Sequence, residues 1–211
     1  MNGRRRVLAL TALCAAGCAL APVQAGPPSP SGPRPSVTSA DSGLTPSAAL
    51  SAGLARWLGT PQLQGQANFR YFGFSVYQAQ LWVAPGKGDP AQAWAQQPVV
   101  LSLRYQRALP GPAIAQRSIE EMRRHPSMPE AAAATWLAQL RTLLTDVREG
   151  ERLIGVYDPA KGLQMWHEGA ELRALGSSSD TLLARVFMGI WLDPSTSAPE
   201  MRQQLLGLAK P

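Results

Sequence analysis

Two hydrophobic periods lie back to back in residues 99–124, and the rest of the chain is read around them. Leu101, Leu103 and Tyr105 alternate with Ser102 and Arg104, the pattern of a strand with one buried face. Leu109-Pro110-Gly111-Pro112 stops it, because proline removes ladder donors and glycine permits a sharp turn. Ile114, Ala115, Ser118, Ile119 and Met122 then share one helical stripe, with Glu120, Arg123 and Arg124 off it. Ser118 is a hydroxyl inside that apolar stripe, with Arg117 before it and Glu121 one turn later. A hydroxyl there needs a partner, so the search for chemistry starts here.

Around this centre, Leu50, Leu54, Trp57 and Leu58 recur at helical spacing from Ala48, with Gly53 as a weak point. Residues 63–83 form the first strand region, rich in β-formers such as Phe69, Tyr71, Phe74, Tyr77 and Trp82, and Gly73 reads as a bulge or bend. Residues 84–90 read as a loop. Ser127-Met128-Pro129-Glu130 has the spacing of a capping box, and the stripe behind it runs from Trp136 to Val147, closed by Glu149-Gly150. Residues 152–157 and 163–167 read as strands, and Glu168-Gly169 turns the chain into 172–175. Ser177 to Ser179 caps a helix with stripe Leu182, Leu183, Val186, Phe187, Ile190 and Trp191, with Asp180 and Asp193 at its cap and exit. A second box, Ser197-Ala198-Pro199-Glu200, opens a terminal helix with Met201, Leu205 and Leu208 facing inward. This order predicts an α+β domain: an antiparallel sheet with helices packed on one face.

The N-terminus changes the domain count. Arg4, Arg5 and Arg6 precede an apolar run, residues 7–20, that is too short to span a bilayer, and Val23-Gln24-Ala25 is a small-x-small cleavage site. Residues 1–25 are therefore expected to be an export signal, 26–47 a Pro/Ser/Gly-rich disordered linker, and 48–211 the folded domain. The mature protein is placed in the periplasm or outside the cell, with no membrane span. The alternative is a lipoprotein anchored through Cys18, after Ala15-Ala16-Gly17. Both cysteines, Cys14 and Cys18, fall in this segment, so cleavage leaves no thiol chemistry.

Charge excludes one class. Removing Arg4 to Arg6 from the 20 basic residues leaves 17 against 14 acids, a net +3, with no basic run interleaved with aromatics. Nucleic-acid binding is not expected. His125 and His167 lie far apart with no ligand-spaced Cys or His, so neither a metal nor a cofactor is expected; they read as a surface and a strand-end histidine. No phosphate loop or nucleophile elbow is present. Three candidates remain: Arg70, flanked by Phe69, Tyr71 and Phe72, and Ser118 with Glu121 on one helix face. A buried intrahelix hydrogen bond is the plainer reading of the latter pair.

Several motifs together resemble the chalcone isomerase-like family. They include residues 65–70, Phe74-Ser75-Val76-Tyr77 and Leu81-Trp82, then Tyr105, Arg107, Gly111, Ile114-Ala115, Ser118 and Glu121-Met122. They continue through Trp136, Asp146-Val147, Gly155, Tyr157, Phe187, Ile190-Trp191-Leu192 and Leu205-Leu206-Gly207, so the resemblance covers residues 63–207. It looks most like a bacterial, exported branch. It implies an open-faced β-sandwich, and a family holding both enzymes that cyclise chalcones and fatty-acid-binding proteins. In the enzymes an arginine after a Gly-x-Gly motif, a strand threonine, and a helical tyrosine and asparagine line the cleft. The resemblance puts Arg70 at the arginine, Phe72 at the threonine, Ile114 at the tyrosine and Glu121 at the asparagine, so three of the four polar groups depart.

That set is short of the donors an oxyanion needs and richer in apolar surface. The expected function is a non-catalytic binder of a small apolar ligand with an anionic end, fatty-acid-like, with Arg70 orienting the carboxylate. Glu121 opposes this unless it pairs with Arg70 or Arg117. The alternatives are an intramolecular lyase of the chalcone isomerase type and an envelope protein-interaction module. The sequence sets no oligomeric state.

Overall fold

The computed structural model describes residues 45–86 and 93–208. The expected export signal, nearly all of the expected linker, and the second half of the loop at 84–90 lie outside them. Helix α1 (Ala48–Leu58) begins where Ser47 accepts the Leu50 N–H, 3.0 Å away, and ends at Gly59, whose φ of 76° suits a residue without Cβ. Strands β1 (Gln62–Tyr71) and β2 (Phe74–Val83) form a hairpin, and β3 (Val99–Tyr105) pairs with β2. Helices α2 (Gly111–Met122) and α3 (Ala133–Leu143) carry the chain over the sheet to β4 (Arg152–Asp158), β5 (Gly162–Glu168) and β6 (Leu172–Ser178). Helices α4 (Thr181–Leu192) and α5 (Pro199–Leu205) complete the described elements. All six strands are antiparallel to their neighbours, in sequence order from β1 to β6. This is the expected α+β architecture.

The pleat sorts the core into two layers. On one face Ala79, Leu81, Leu101, Leu103, Leu153 and Met165 pack beneath α2 to α5, against Ile119, Met122, Leu140, Leu183 and Leu205. On the other, Val100, Ile154 and Val156 pack under Leu50, Leu54 and Leu58 of α1. Among the described residues, four helices thus share a face and α1 takes the opposite one. Consequently β3 is not a strand with one buried face: Val100 and Ser102 are as enclosed as Leu101. Close approach fixes one glycine. A Cβ on Gly65 of β1 would stand 2.1 Å from the Gln204 carbonyl oxygen of α5, so that helix can lie on β1 only if position 65 has no side chain.

Several local expectations need correction. Neither Ser/Glu capping box forms. Glu130 reaches back to Arg123 at 3.0 Å while Pro129 precedes a 3-10 turn over Glu130–Ala132, and Ala198, not Ser197, precedes α5. Helix α3 stops at Leu143 because Val147 is drawn into a two-way backbone bridge with Leu109, at 3.0 Å each way. The serines at 177–178 extend β6, and Asp180 alone caps α4, its Oδ1 accepting from the N–H groups of Leu182 and Leu183. Asp180 Oδ2 also accepts from Trp136 Nε1 at 3.0 Å, tying α3 to α4. Leu182 and Leu208 are exposed rather than inward. Of the two readings of Gly73, the bend holds: with Phe72 it forms the β1–β2 turn.

Candidate functional site

Three aromatic residues cross the sheet in register. Phe69 of β1 faces Tyr77 of β2, and Tyr77 faces Tyr105 of β3. All three lie on the side facing α2 to α5. Phe69 and Tyr77 stack with centroids 5.0 Å apart and planes 19° apart, and Tyr105 meets Tyr77 edge-on at 5.7 Å. Trp191 of α4 donates its indole N–H to the Tyr77 hydroxyl at 3.0 Å, and Phe187 packs edge-on against Trp191.

Helix α2 brings polar groups to the same place. Its start is set by Asp146, whose carboxylate accepts the Gly111 N–H at 2.7 Å. Glu121 is buried and ion-paired with Arg117 and, at 3.3 Å, with Arg124. Both Glu121 and Arg117 are near enough for their charges to act on the Tyr77 phenol. Burial pushes that phenol far above its ordinary range, with Trp191 and Arg117 opposing the shift and Glu121 adding to it. Burial does the same to Tyr105. Both phenols are neutral at any physiological pH, so they act as hydrogen-bonding groups rather than bases. The Tyr77 oxygen accepts from Trp191, while no acceptor among the described residues takes its own proton.

The sequence candidates therefore separate. Ser118 donates to the Ile114 carbonyl at 2.9 Å, the intrahelix bond expected of it. Glu121 and Arg117 form the expected pair, and Ile114 lies half-buried against the core. Arg70 and Phe72 do not join them. Arg70 is exposed on β1, just past a register shift in the ladder, and Phe72 sits at the hairpin turn, 83% exposed with φ 47°. Neither Arg70 nor Phe72 forms a hydrogen bond or ion pair with Tyr77 or Glu121 among the described residues. What sequence reasoning missed is the Tyr77–Trp191 bond: both residues carry the resemblance, but nothing in one chain's pattern links positions 114 apart.

Two further polar groups are structural. His125 is buried, contrary to its reading as a surface residue. Its Nδ1 accepts the Ser127 N–H, which leaves Nε2 to carry the proton, 3.3 Å from Asp193. His167, buried near the end of β5, approaches Glu151 at 3.1 Å. An open depression of about 350 Å³ at the start of α1 contains Arg152 and Glu168, but they are paired with each other at 2.6 Å and Ser47 also binds Glu168. Its buried ion pair is thus satisfied within the protein, and the further carboxylate in its lining, Glu171, is exposed. Among the described residues, no three His, Cys, Asp or Glu side chains are grouped to hold a metal ion.

The model of one protein family, described as chalcone isomerase-like, matches residues 60–207, most of the chain and every strand of the sheet. The chain belongs to the chalcone isomerase-like family. The sequence finds no significant match among curated proteins. Among solved structures, the chain resembles the Arabidopsis thaliana fatty-acid binding protein, with a TM-score of 0.51 and 14% identity over 69% of this chain and 86% of that one. At that identity the likeness speaks for the fold. Within the chalcone isomerase-like sheet, the Phe69–Tyr77–Tyr105 row beneath α2 and α4 is the place where aromatic surface and a spare hydroxyl proton meet.

Proposed function

We propose that this protein is a non-catalytic binder of a small, mainly apolar ligand with an anionic end, fatty-acid-like, held at the seam between the β1–β2 hairpin and α2. One observation carries the reading: Phe69, Tyr77 and Ile114 pack against the core yet stay half-buried, so an aliphatic chain laid over them covers apolar surface. The spare Tyr77 proton serves the anionic end as a donor, and Arg117 stands at the rim. Pairing of Glu121 with Arg117 and Arg124 offsets the repulsion an isolated carboxylate would exert. Membership of the chalcone isomerase-like family, together with the fold shared with a fatty-acid binding protein, supports a ligand-binding role. For cyclisation the same site lacks a free base, since its buried carboxylate, Glu121, is engaged by Arg117 and Arg124.

The protein is further proposed to work outside the cytoplasm after removal of residues 1–25. Native mass spectrometry of protein purified from its host envelope tests both statements. The expected spectrum shows a chain starting at Gly26 with a retained amphiphile. A lipidated Cys18 would overturn simple cleavage, and a ligand-free chain that takes up no fatty acid at millimolar concentration would overturn the binding role.

A further inference from the structure

The β1–β2 hairpin ends in Tyr71-Phe72-Gly73-Phe74, whose three aromatic side chains are 55%, 83% and 69% exposed. Phe72 and Gly73 both have positive φ, 47° and 81°. A two-residue turn of that kind ordinarily takes Asn-Gly, because a bulky L-residue there is strained. Folding gains little from Phe72 in return: its side chain is 83% exposed, and its aromatic partner among the described residues is Tyr71, edge-on with centroids 4.5 Å apart. A strained, exposed aromatic group is better explained by something outside the molecule.

We propose that this tip inserts into the lipid–water interface of a membrane bearing anionic headgroups. The shape favours a fluid partner, because three rings project from a convex turn, and a bilayer surface moulds itself to them without a matching pocket. Tyrosine and phenylalanine suit the depth, burying a ring among acyl chains near the headgroups. Charge selects the headgroup. Arg70 directly precedes the tip, and Arg107 follows Gln106, whose N–H bonds the Val76 carbonyl of β2 at 2.9 Å. Neither arginine is in an ion pair among the described residues. Nearby acids are turned elsewhere: Glu120 and Glu121 are held by Arg117, and Glu149 lies on the β4 side of β3, where Gly150 bonds Tyr105. Two free cations beside an aromatic tip match anionic lipid. Among the described residues no helix is long and apolar enough to cross a membrane, so this contact is interfacial. The inference stands apart from the ligand proposal and uses none of its residues.

The test is flotation of the full chain with phosphatidylcholine vesicles, with and without phosphatidylglycerol, combined with hydrogen–deuterium exchange across the hairpin. Vesicles containing phosphatidylglycerol are expected to protect the amides of residues 70–76. Tyr71→Ser/Phe72→Asn/Phe74→Ser lowers partitioning by about tenfold or more. Arg70→Gln/Arg107→Gln lowers it by about fivefold per arginine on anionic vesicles and leaves phosphatidylcholine unaffected. Phe72→Asn alone, which relieves the strained turn and so keeps the fold, also weakens flotation. Unchanged exchange in the hairpin, or equal flotation of the triple variant, overturns the proposal. So does lipid-free self-association that the triple variant abolishes, which would assign the tip to a second copy of the chain.

Discussion

Replacing Tyr77 with phenylalanine removes a single oxygen and leaves the rest of the aromatic row in place. The stack on Phe69 and the edge contact with Tyr105 survive, since they involve only the ring. What is lost is the acceptor for the Trp191 indole N–H, 3.0 Å away, on a side chain that is 8% exposed. An ordinary hydrogen bond contributes about 1 kcal/mol net, and a buried donor left unpaired costs about 1–3 kcal/mol. Removing the desolvated hydroxyl returns part of that, so a loss of roughly 1–2 kcal/mol is expected. For a domain of this size it lowers Tm by roughly 2–8 °C. The assay is urea unfolding of wild type, Tyr77→Phe, Trp191→Phe and the double variant. The bond predicts a coupling of about 1 kcal/mol, above the roughly 0.5 kcal/mol within which unconnected sites add. Purely additive losses would refute the claim that Tyr77 and Trp191 hold the sheet end to α4.

Other predictions follow from the same geometry. Phe72→Asn should stabilise the fold by roughly 1 kcal/mol, because asparagine tolerates the left-handed turn and little packing is forfeited; a lower urea midpoint contradicts this. Gly65→Ala should cost about 1–3 kcal/mol or more, since the clash is with backbone of α5; unchanged stability would mean that α5 does not rest on β1. Acid should destabilise the protein in two stages. Burial lowers the His125 pKa despite Asp193, with Arg185 adding to the effect, so below about pH 6.5 the unfolded chain binds more protons and stability falls. Burial alone would raise Asp193, but Ser195, His125 and Arg185 hold it low, so further stability is lost as pH drops below about 4. A Tm that rises from pH 7 to pH 5, or a first stage that persists in His125→Gln, would contradict the first assignment.

The fold was largely legible because periodicity reports burial, and burial here follows the sheet. The α2 stripe and the helix α1 appear in the structure; β3 is there as a strand, but both of its faces are covered. Misreadings arose where a local signal was overruled from a distance. Apolar Leu144 and Val147 continue the α3 pattern, yet the bridge to Leu109 ends the helix. Glu130 has capping-box spacing, yet Arg123 takes it. The hairpin was hidden because an aromatic residue stands where a turn ordinarily has asparagine, so the run of β-formers looked unbroken. For the site, Ser118, Arg117 and Glu121 were legible through helical spacing alone. Alignment to a family pattern gives no exposure, which is why it did not show that Arg70 is exposed and that Phe72 stands in the turn. The burial of His125 depends on α4 packing above it, where a Cβ on Gly189 would approach the imidazole to 2.8 Å.

The binding role is tested most directly by calorimetric titration of the delipidated protein with a medium-chain fatty acid, for wild type, Ile114→Asp and Arg70→Ala. The account predicts saturable binding with a negative heat-capacity change, as burial of apolar surface requires. It predicts a loss of about tenfold or more for Ile114→Asp, which puts a charge on the seam. Arg70→Ala should bind like wild type, because that side chain is exposed and makes no bond to Tyr77 or Glu121. Absence of saturable binding, or affinity that falls with Arg70 and ignores Ile114, would contradict the seam between β1–β2 and α2 as the binding site.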